Sequence, residues 1–328
     1  MISKIKNFLK CRGKGIINSR YEKLDIIGDI HGYYKELVAL LEKMGYTKID
    51  GVWQHPNRKA IFAGDMVSRG PATREVLKLI KQMVDNQTAM AVLGNHELNM
   101  IGHFTTKKNG RPYLILAPSN KSQMEAVQKQ FNNDKELYDY VKWLRTLPFM
   151  IDYGRIRVVH AYWSSKNQKI LSSSITRGKI SKSQLKEIFK HKTPFSKAVW
   201  QTTRGIEINL PNDMIIKDAK NLRRANFRIK WWKKPEGQTF RAISYGNRFV
   251  LPAYTIPPEI IKPFEVYHAN NPIVIFGHYC AGNEPMVVSD NLCCIDSCIA
   301  GSEGKLSAYR WNGEKKINPD HIIQVDRF

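Results

Sequence analysis

Apolar residues in this chain gather in short blocks that end at glycines. Leu24-Asp25-Ile26-Ile27 reads as a buried strand running into a Gly-rich turn. From Tyr33 to Met44 the residues Leu37, Leu40, Leu41 and Met44 recur at helical spacing. Lys59 to Ala63 predicts a second strand, and Pro71 to about Val84 a helix with Pro71 in its first turn, where the missing N–H costs nothing. Thr88 to Leu93 predicts a third strand. Three rounds of strand, turn and helix within the first hundred residues predict βαβ units on a largely parallel core. Further on, Gln123 to Leu144 predicts a helix and Ile156 to Val159 a strand. Late strands are expected at Ile273–Phe276, Leu292–Ile295 and Leu306–Trp311, with Gly301-Ser302-Glu303-Gly304 as the turn of a late hairpin. Ser164 to Ser183 is polar and reads as loop. The stretch from about 164 to 265, including the Pro-rich passage around Pro252, Pro257, Pro258 and Pro263, has no α/β alternation and is expected to be an insertion or cap.

Composition narrows the class. The 328 residues are 42% hydrophobic and 25% charged, a globular balance with enough apolar material for a large core. Runs such as Ile273–Phe276 are too short to span a bilayer, and no fixed repeat period is found. Residues 1–23 form a basic arm ahead of a domain expected over 24–328. The formal charge of +23 sets up a field that concentrates phosphates, nucleotides and nucleic acids. Arg177 to Arg248 alone holds 18 Lys+Arg against 5 Asp+Glu, interleaved with Phe227, Trp231, Trp232 and Phe240. That pattern suits RNA contact through stacking rings. It equally suits a strand that buries Phe227, Ile229 and Trp231 and leaves Arg228 and Lys230 in solvent. The cysteines are Cys11, Cys280, Cys293, Cys294 and Cys298. Their odd number and lack of paired CxxC spacing argue against a disulfide scaffold or zinc ribbon and point to a reducing, cytoplasmic setting, with Cys293, Cys294 and Cys298 expected as buried structural thiols.

Chemistry concentrates at the strand ends. Gly28-Asp29-Ile30-His31-Gly32, Gly64-Asp65-Met66-Val67-Ser68-Arg69-Gly70 and Gly94-Asn95-His96-Glu97 each follow one of the first three strands. Arg157-Val158-Val159-His160-Ala161 and Val274-Ile275-Phe276-Gly277-His278 bring two more strand-end histidines. An α/β sheet places its functional groups at such ends. Asp, His and Asn together suit divalent cations such as Mn, Fe, Zn or Mg.

GDIHG, GDMVSRG, GNHE, VVHA and FGHY resemble, in order, the five blocks of the calcineurin-like metallophosphoesterases, in the branch holding phosphoprotein phosphatases and symmetrical diadenosine tetraphosphatases. The resemblance implies a four-layer α/β/β/α sandwich with a basic insertion, built around two divalent metal ions, Mn foremost. It implies Asp29 and His31 on the first metal, Asp65 bridging, and Asn95, His160 and His278 on the second. A metal-bridging hydroxide would attack phosphorus in line. Asn95, Arg69 and, in the same role, Arg204 would contact the phosphate, with Arg69 forking onto its oxygens. His96 would protonate the leaving oxygen. One residue departs from the pattern. Ser68 stands where phosphoprotein phosphatases carry an Asp that charges the general-acid histidine, so either His96 is a weaker acid or Glu97 replaces that Asp. A weak acid tilts the expectation toward nucleotide phosphoanhydrides, such as dinucleoside polyphosphates or RNA ends. A serine/threonine or dual-specificity protein phosphatase is the alternative. A non-catalytic nucleic-acid-binding protein on the same scaffold is the third reading.

Overall fold

Alternation with period two inside each strand divides the core into layers. The computed structural model describes residues 23–328 apart from 191, 211–215, 218–222, 247–250, 262 and 281. The basic arm, save its last residue, and His191 therefore lie outside the described residues. Leu24 and Ile26 of the strand Lys23–Ile27 point one way, into an apolar seam with Ile61, Ile156, Val158, Ile273, Ile275 and Cys293. Ile27 points the other way, into a helix-covered layer with Phe62, Leu37, Leu40, Val76 and Ile80. Side chains on successive strand residues face opposite sides, so one apolar run supplies both layers.

Two five-stranded sheets flank that seam. Across the first the order is Ile322–Asp326, Lys305–Trp311, Lys23–Ile27, Arg58–Phe62, Ala89–Ala91. Across the second it is Met286–Ser289, Leu292–Cys294, Ile273–Phe276, Ile156–Val159, Met150–Asp152. Each sheet contains three neighbouring parallel strands. Their C-terminal ends carry every motif singled out above. The helices Tyr34–Lys43, Thr73–Asp85 and Asn95–Phe104 cover the outer face of the first sheet. The outer face of the second sheet packs on Ile206, Ile208, Phe227, Trp231 and Phe240. Ile208 and Phe227 come from a short antiparallel pair, Glu207–Asn209 with Asn226–Arg228, Phe240 from the one-turn helix Phe240–Ile243, and Ile206 and Trp231 from the chain flanking the pair. The result is the expected four-layer α/β sandwich.

Several local expectations need correction. Pro71 lies before its helix, which starts at Thr73, because Ala72 has a non-helical backbone (φ −132°, ψ 45°), its N–H donating to the Gly32 carbonyl. The stretch 123–144 is two helices, Pro118–Gln128 and Asp134–Leu144. The second is restarted by Asn133, whose side chain accepts from the Glu136 N–H. The polar run 164–183 is not loop. Ser164 caps a helix Ser165–Ser174 that buries Leu171, and a second helix, Lys182–Lys190, buries Leu185 and Ile188. With the helix Pro194–Arg204 they feed the same core as the first sheet. The Gly301–Gly304 turn is not a hairpin, since Leu292–Cys294 and Lys305–Trp311 belong to different sheets. Phe227, Ile229 and Trp231 are buried, as the alternating-strand reading expects, and Phe240 is buried with them. These rings are therefore not a stacking surface for bases.

At the edge of the helix-covered layer sits a fully buried carboxylate, Asp25. It accepts from Arg58 Nε at 2.9 Å, Arg310 Nε at 3.1 Å and Tyr46 Oη at 3.0 Å. Arg58 also donates to the Leu24 and Trp311 carbonyls, so three strands meet on this one charge. Removing one partner of such a group leaves the other buried and unpaired. Asp25→Ala is expected to lower unfolding free energy by about 3–5 kcal/mol, read as a fall in the denaturant midpoint with an unchanged slope.

Candidate active site

Backbone geometry at the strand ends is unusual before any side chain is considered. His31, Asp65, Ser68, Arg69 and His278 all have positive φ, between 46° and 69°. Such conformations cost about 1–3 kcal/mol each in a non-glycine residue, so the surroundings must enforce them. Glycine makes room beside them. A Cβ on Gly94 would meet Asp65 Oδ1 at 2.2 Å, and one on Gly277 would meet Asp29 Oδ1 at 2.0 Å. At Asp65 enforcement comes largely from Glu97. Its Oε2 accepts from the Asp65 and Gly94 N–H groups at 2.9 and 2.8 Å, and its Oε1 from Met66 and Val67 at 2.8 and 3.1 Å. One fully buried carboxylate thus joins the second motif to the third. Burial, then the nearby Asp65, pushes it up to about 7 against the pull of those amides.

The structure brings together all six expected ligands. Asp65 is central. His160 Nε2 lies 3.3 Å from its Oδ1, and His31 Nε2 and His96 Nε2 each lie 3.8 Å from its Oδ2. Asp29 Oδ2 is 4.0 Å from His31 Nε2, and the Asp29 carboxylate accepts the His278 N–H. Asn95 Oδ1 is 3.2 Å from His160 Nε2, and the His160 and His278 rings are 5.0 Å apart. Two groups of side chains, His31–Asp65–His96 and Asp65–His160–His278, each hold their ligand atoms within 4.8 Å of one another and share Asp65.

This donor set fits cations better than it fits itself. His31 Nδ1 faces the Val67 carbonyl at 3.3 Å and His160 Nδ1 the Ala63 carbonyl at 2.9 Å. A carbonyl only accepts, so each Nδ1 carries the hydrogen and each Nε2 is left to face a carboxylate. Metal-binding histidines are oriented this way. Burial drives His31 and His278 well below the usual imidazole range, keeping them neutral, and His278 Nε2 is buried without a hydrogen-bond partner among the described residues. Burial raises Asp29 well above the usual carboxylate range, with Asp296 and Asp65 adding repulsion. Asp65 is buried too, but His160 and His96 hold it well below that range. Burial alone would lower His160. Asp65 and Asp29 outweigh it and push His160 up to about 10. The cluster therefore carries unbalanced negative charge that a proton on His160, or cations, must meet.

The groups expected on substrate lie around this centre. Arg69 Nη2 is 3.4 Å from His96 Nε2. Ser68 Oγ hydrogen-bonds His96 Nδ1. Burial lowers His96 to about 4, and Arg69, His160 and Arg204 add to this against the opposing pull of Asp65. Glu97 does not serve as the charged partner of His96, because its oxygens are taken by backbone amides. Arg204 is mostly buried, stacked on Trp200 with Cζ 4.0 Å from the ring centre, and reaches Asn99 Oδ1 at 3.4 Å. Sequence reasoning missed Arg228. Read as a solvated strand position, it instead lies over the Tyr279 ring, with Cζ 5.6 Å from its centre, beside His278. Its Nε is buried with no partner among the described residues. No linear signal separates it from Lys230, since both lie on the outward face of the alternation. Asp296 is buried and accepts the Cys298 N–H at 3.0 Å.

Comparison with known proteins matches this geometry to a family. The model of the calcineurin-like phosphoesterases matches residues 23–281. The asymmetrical bis(5'-nucleosyl)-tetraphosphatase PrpE of Halalkalibacterium halodurans is 36% identical over 133 residues, 38% of this chain and 53% of that protein. The symmetrical bis(5'-nucleosyl)-tetraphosphatase of Buchnera aphidicola is 32% identical over 156 residues, 45% of this chain and 48% of that protein. The chain spans about half the length of these curated relatives. A solved structure of a cold-active protein tyrosine phosphatase superposes with a TM-score of 0.50 at 18% identity, covering 93% of this chain and 77% of that one, which speaks for a shared fold. With five strand-end motifs meeting at one edge and most of its length matched, the chain belongs to the calcineurin-like phosphoesterases.

Proposed function

We propose that this protein is a metal-dependent hydrolase of nucleotide phosphoanhydrides, with dinucleoside polyphosphates or RNA 5′ ends as its substrate class. The observation that carries the chemistry is the pair of histidines, His31 and His160, tied at Nδ1 to backbone carbonyls so that both Nε2 atoms face Asp65. In this reading Asp29, His31 and Asp65 hold one divalent cation, and Asp65, Asn95, His160 and His278 the other, with Mn the first choice. Such cations supply Lewis acidity toward phosphoryl oxygens and activate water. Arg69 orients the reacting phosphoryl group, and Arg204 and Arg228 supply positive charge for the phosphates beyond it. The domain is taken as 24–328, with 164–265 contributing its outer packing and its basic surface.

The substrate lean rests on His96. A buried imidazole held near 4 by its surroundings and partnered by a hydroxyl, not a carboxylate, is a weak proton source at neutral pH. A nucleotide phosphate leaves readily without a proton; a serine alkoxide does not. The names of the relatives agree with that preference. RNA contact has separate support. Among the described residues between 166 and 197, nine Lys and Arg side chains are exposed, opposed by the single carboxylate Glu187. Their contribution would be phosphate attraction, which falls with salt.

Three outcomes check this reading. With Mn²⁺, the protein turns over diadenosine tetraphosphate and leaves phosphoserine peptides nearly untouched, while Asp65→Asn reduces turnover to background. The reverse preference would establish the protein-phosphatase alternative. Ser68→Asp restores a charged partner to His96, and aspartate tolerates this residue's positive φ. It raises hydrolysis of an alkyl phosphate by about tenfold or more, measured as kcat at neutral pH. Glu97→Gln places an amide NH2 against two backbone N–H donors. It lowers stability by about 1–3 kcal/mol and weakens Mn²⁺ uptake, read by calorimetry.

A further inference from the structure

Cys280 and Cys298 form a disulfide, correcting the expectation that Cys298 is a free buried thiol, while Cys293 and Cys294 are free and buried as expected. The bond joins two turns that carry carboxylate and imidazole groups of the site. Cys280 lies two residues after His278, and Cys298 two after Asp296. On the His278 side the turn is tight. The Gly277 N–H reaches the His160 carbonyl at 2.9 Å, the His278 N–H reaches Asp29 at 3.2 Å, and the Tyr279 N–H returns to Gly277 at 2.7 Å. On the other side Cys298 is locked. Its carbonyl accepts the Gly301 N–H at 2.6 Å, and a Cβ on Gly304 would strike that same oxygen at 1.9 Å. The disulfide therefore anchors the His278 turn to a rigid crossing between the sheets. Cys280 is exposed, so an outside thiolate can reach its sulfur. Burial pushes Cys293 up to about 12 and raises Cys294 as well, which keeps both protonated and out of exchange. In thiol-buffered compartments such accessible disulfides are typically transient and sensing, not structural.

We propose that the Cys280–Cys298 bond is a redox control on the half-site formed by Asp65, His160 and His278: oxidised, it holds the His278 turn in ligating position; reduced, it releases that turn and weakens cation retention. The inference rests on reading those three residues as cation ligands. The partner is an external dithiol. Its thiolate attacks Cys280 Sγ, forms a mixed disulfide and expels Cys298 as a thiolate, which takes up a proton. The second thiol of the reductant then displaces Cys280, which is protonated in turn. Two electrons and two protons pass to the protein, and the dithiol leaves as a disulfide.

The test uses the full chain carrying Cys11→Ser. Thiols are counted under denaturing conditions before and after treatment with a dithiol, which is removed anaerobically. Mn²⁺ binding is then measured by calorimetry, and hydrogen exchange in peptides spanning 277–283. The count is expected to rise from two to four. Reduction is expected to weaken the looser of two Mn²⁺ sites by about tenfold or more and to speed exchange in 277–283, with reoxidation restoring both. Cys280→Ser and Cys298→Ser, shown folded by circular dichroism, should match the reduced form and ignore the dithiol. Four thiols before reduction, or equal Mn²⁺ affinity and exchange in both forms, overturns the proposal while leaving the cation reading standing. No Mn²⁺ uptake by either form overturns the cation reading, and the proposal falls with it.

Discussion

Four backbone N–H groups from two different loops converge on the carboxylate of Glu97, and the catalytic edge depends on that convergence. Together with the Ile30 and His31 N–H groups on the Asp65 carbonyl, it holds Asp65 at positive φ beneath the first turn of the helix Asn95–Phe104. The same helix start returns the favour, its His96 N–H donating to Asp65 Oδ1 at 3.0 Å. A helix N-terminus stabilises negative charge, so the Asp65 carboxylate sits where backbone dipoles already support it. Glu97 is therefore a positioning residue that holds the machinery in place without touching a substrate.

Electrostatics then explain why the cluster needs a guest. Asp29, Asp65 and Asp296 are buried near one another, and burial disfavours every one of their charges. Histidines tethered by backbone carbonyls cannot swing away to relieve the strain. In the proposed reading, cations shared through Asp65 would answer the charge and the coordination demand together. Around this negative core lies a positive rim, Arg69 on the His96 side and Arg228 on the His278 side. Charge of opposite sign at centre and rim suits a ligand that is itself an anion held by metal.

Legibility was uneven, and the reasons are physical. Strands written as near-continuous apolar runs, such as Lys23–Ile27 and Ile273–Phe276, announce themselves because both of their faces are buried. The helix Ser165–Ser174 does not. It buries little beyond Leu171, and its serines and lysines look like loop until Ser164 is seen to cap it. Arg228 was read as solvated because alternation reports only which side of a strand a residue occupies. Its meeting with Tyr279 depends on where the small sheet packs against the large one. The disulfide was invisible for a related reason: cysteines 18 residues apart have no local relation until two crossing turns place them together.

The linear order of residues by itself determined the βαβ architecture and the five strand-end motifs, since short-range periodicity and turn chemistry are properties of neighbours along the chain, and the resemblance of those motifs to a known family is what offered six of their side chains as ligands. Tertiary structure alone decided which oxygen faces which nitrogen, that Glu97 serves backbone amides and not His96, that Ser68 is the imidazole's partner, and that Cys280 reaches Cys298. The Glu97 and Ser68 contacts follow from the pairing of neighbouring strands in the first sheet, which sets their two loops side by side, and the contacts of Asp65 with His160 and of Asp29 with His278 from how the two sheets pack face to face.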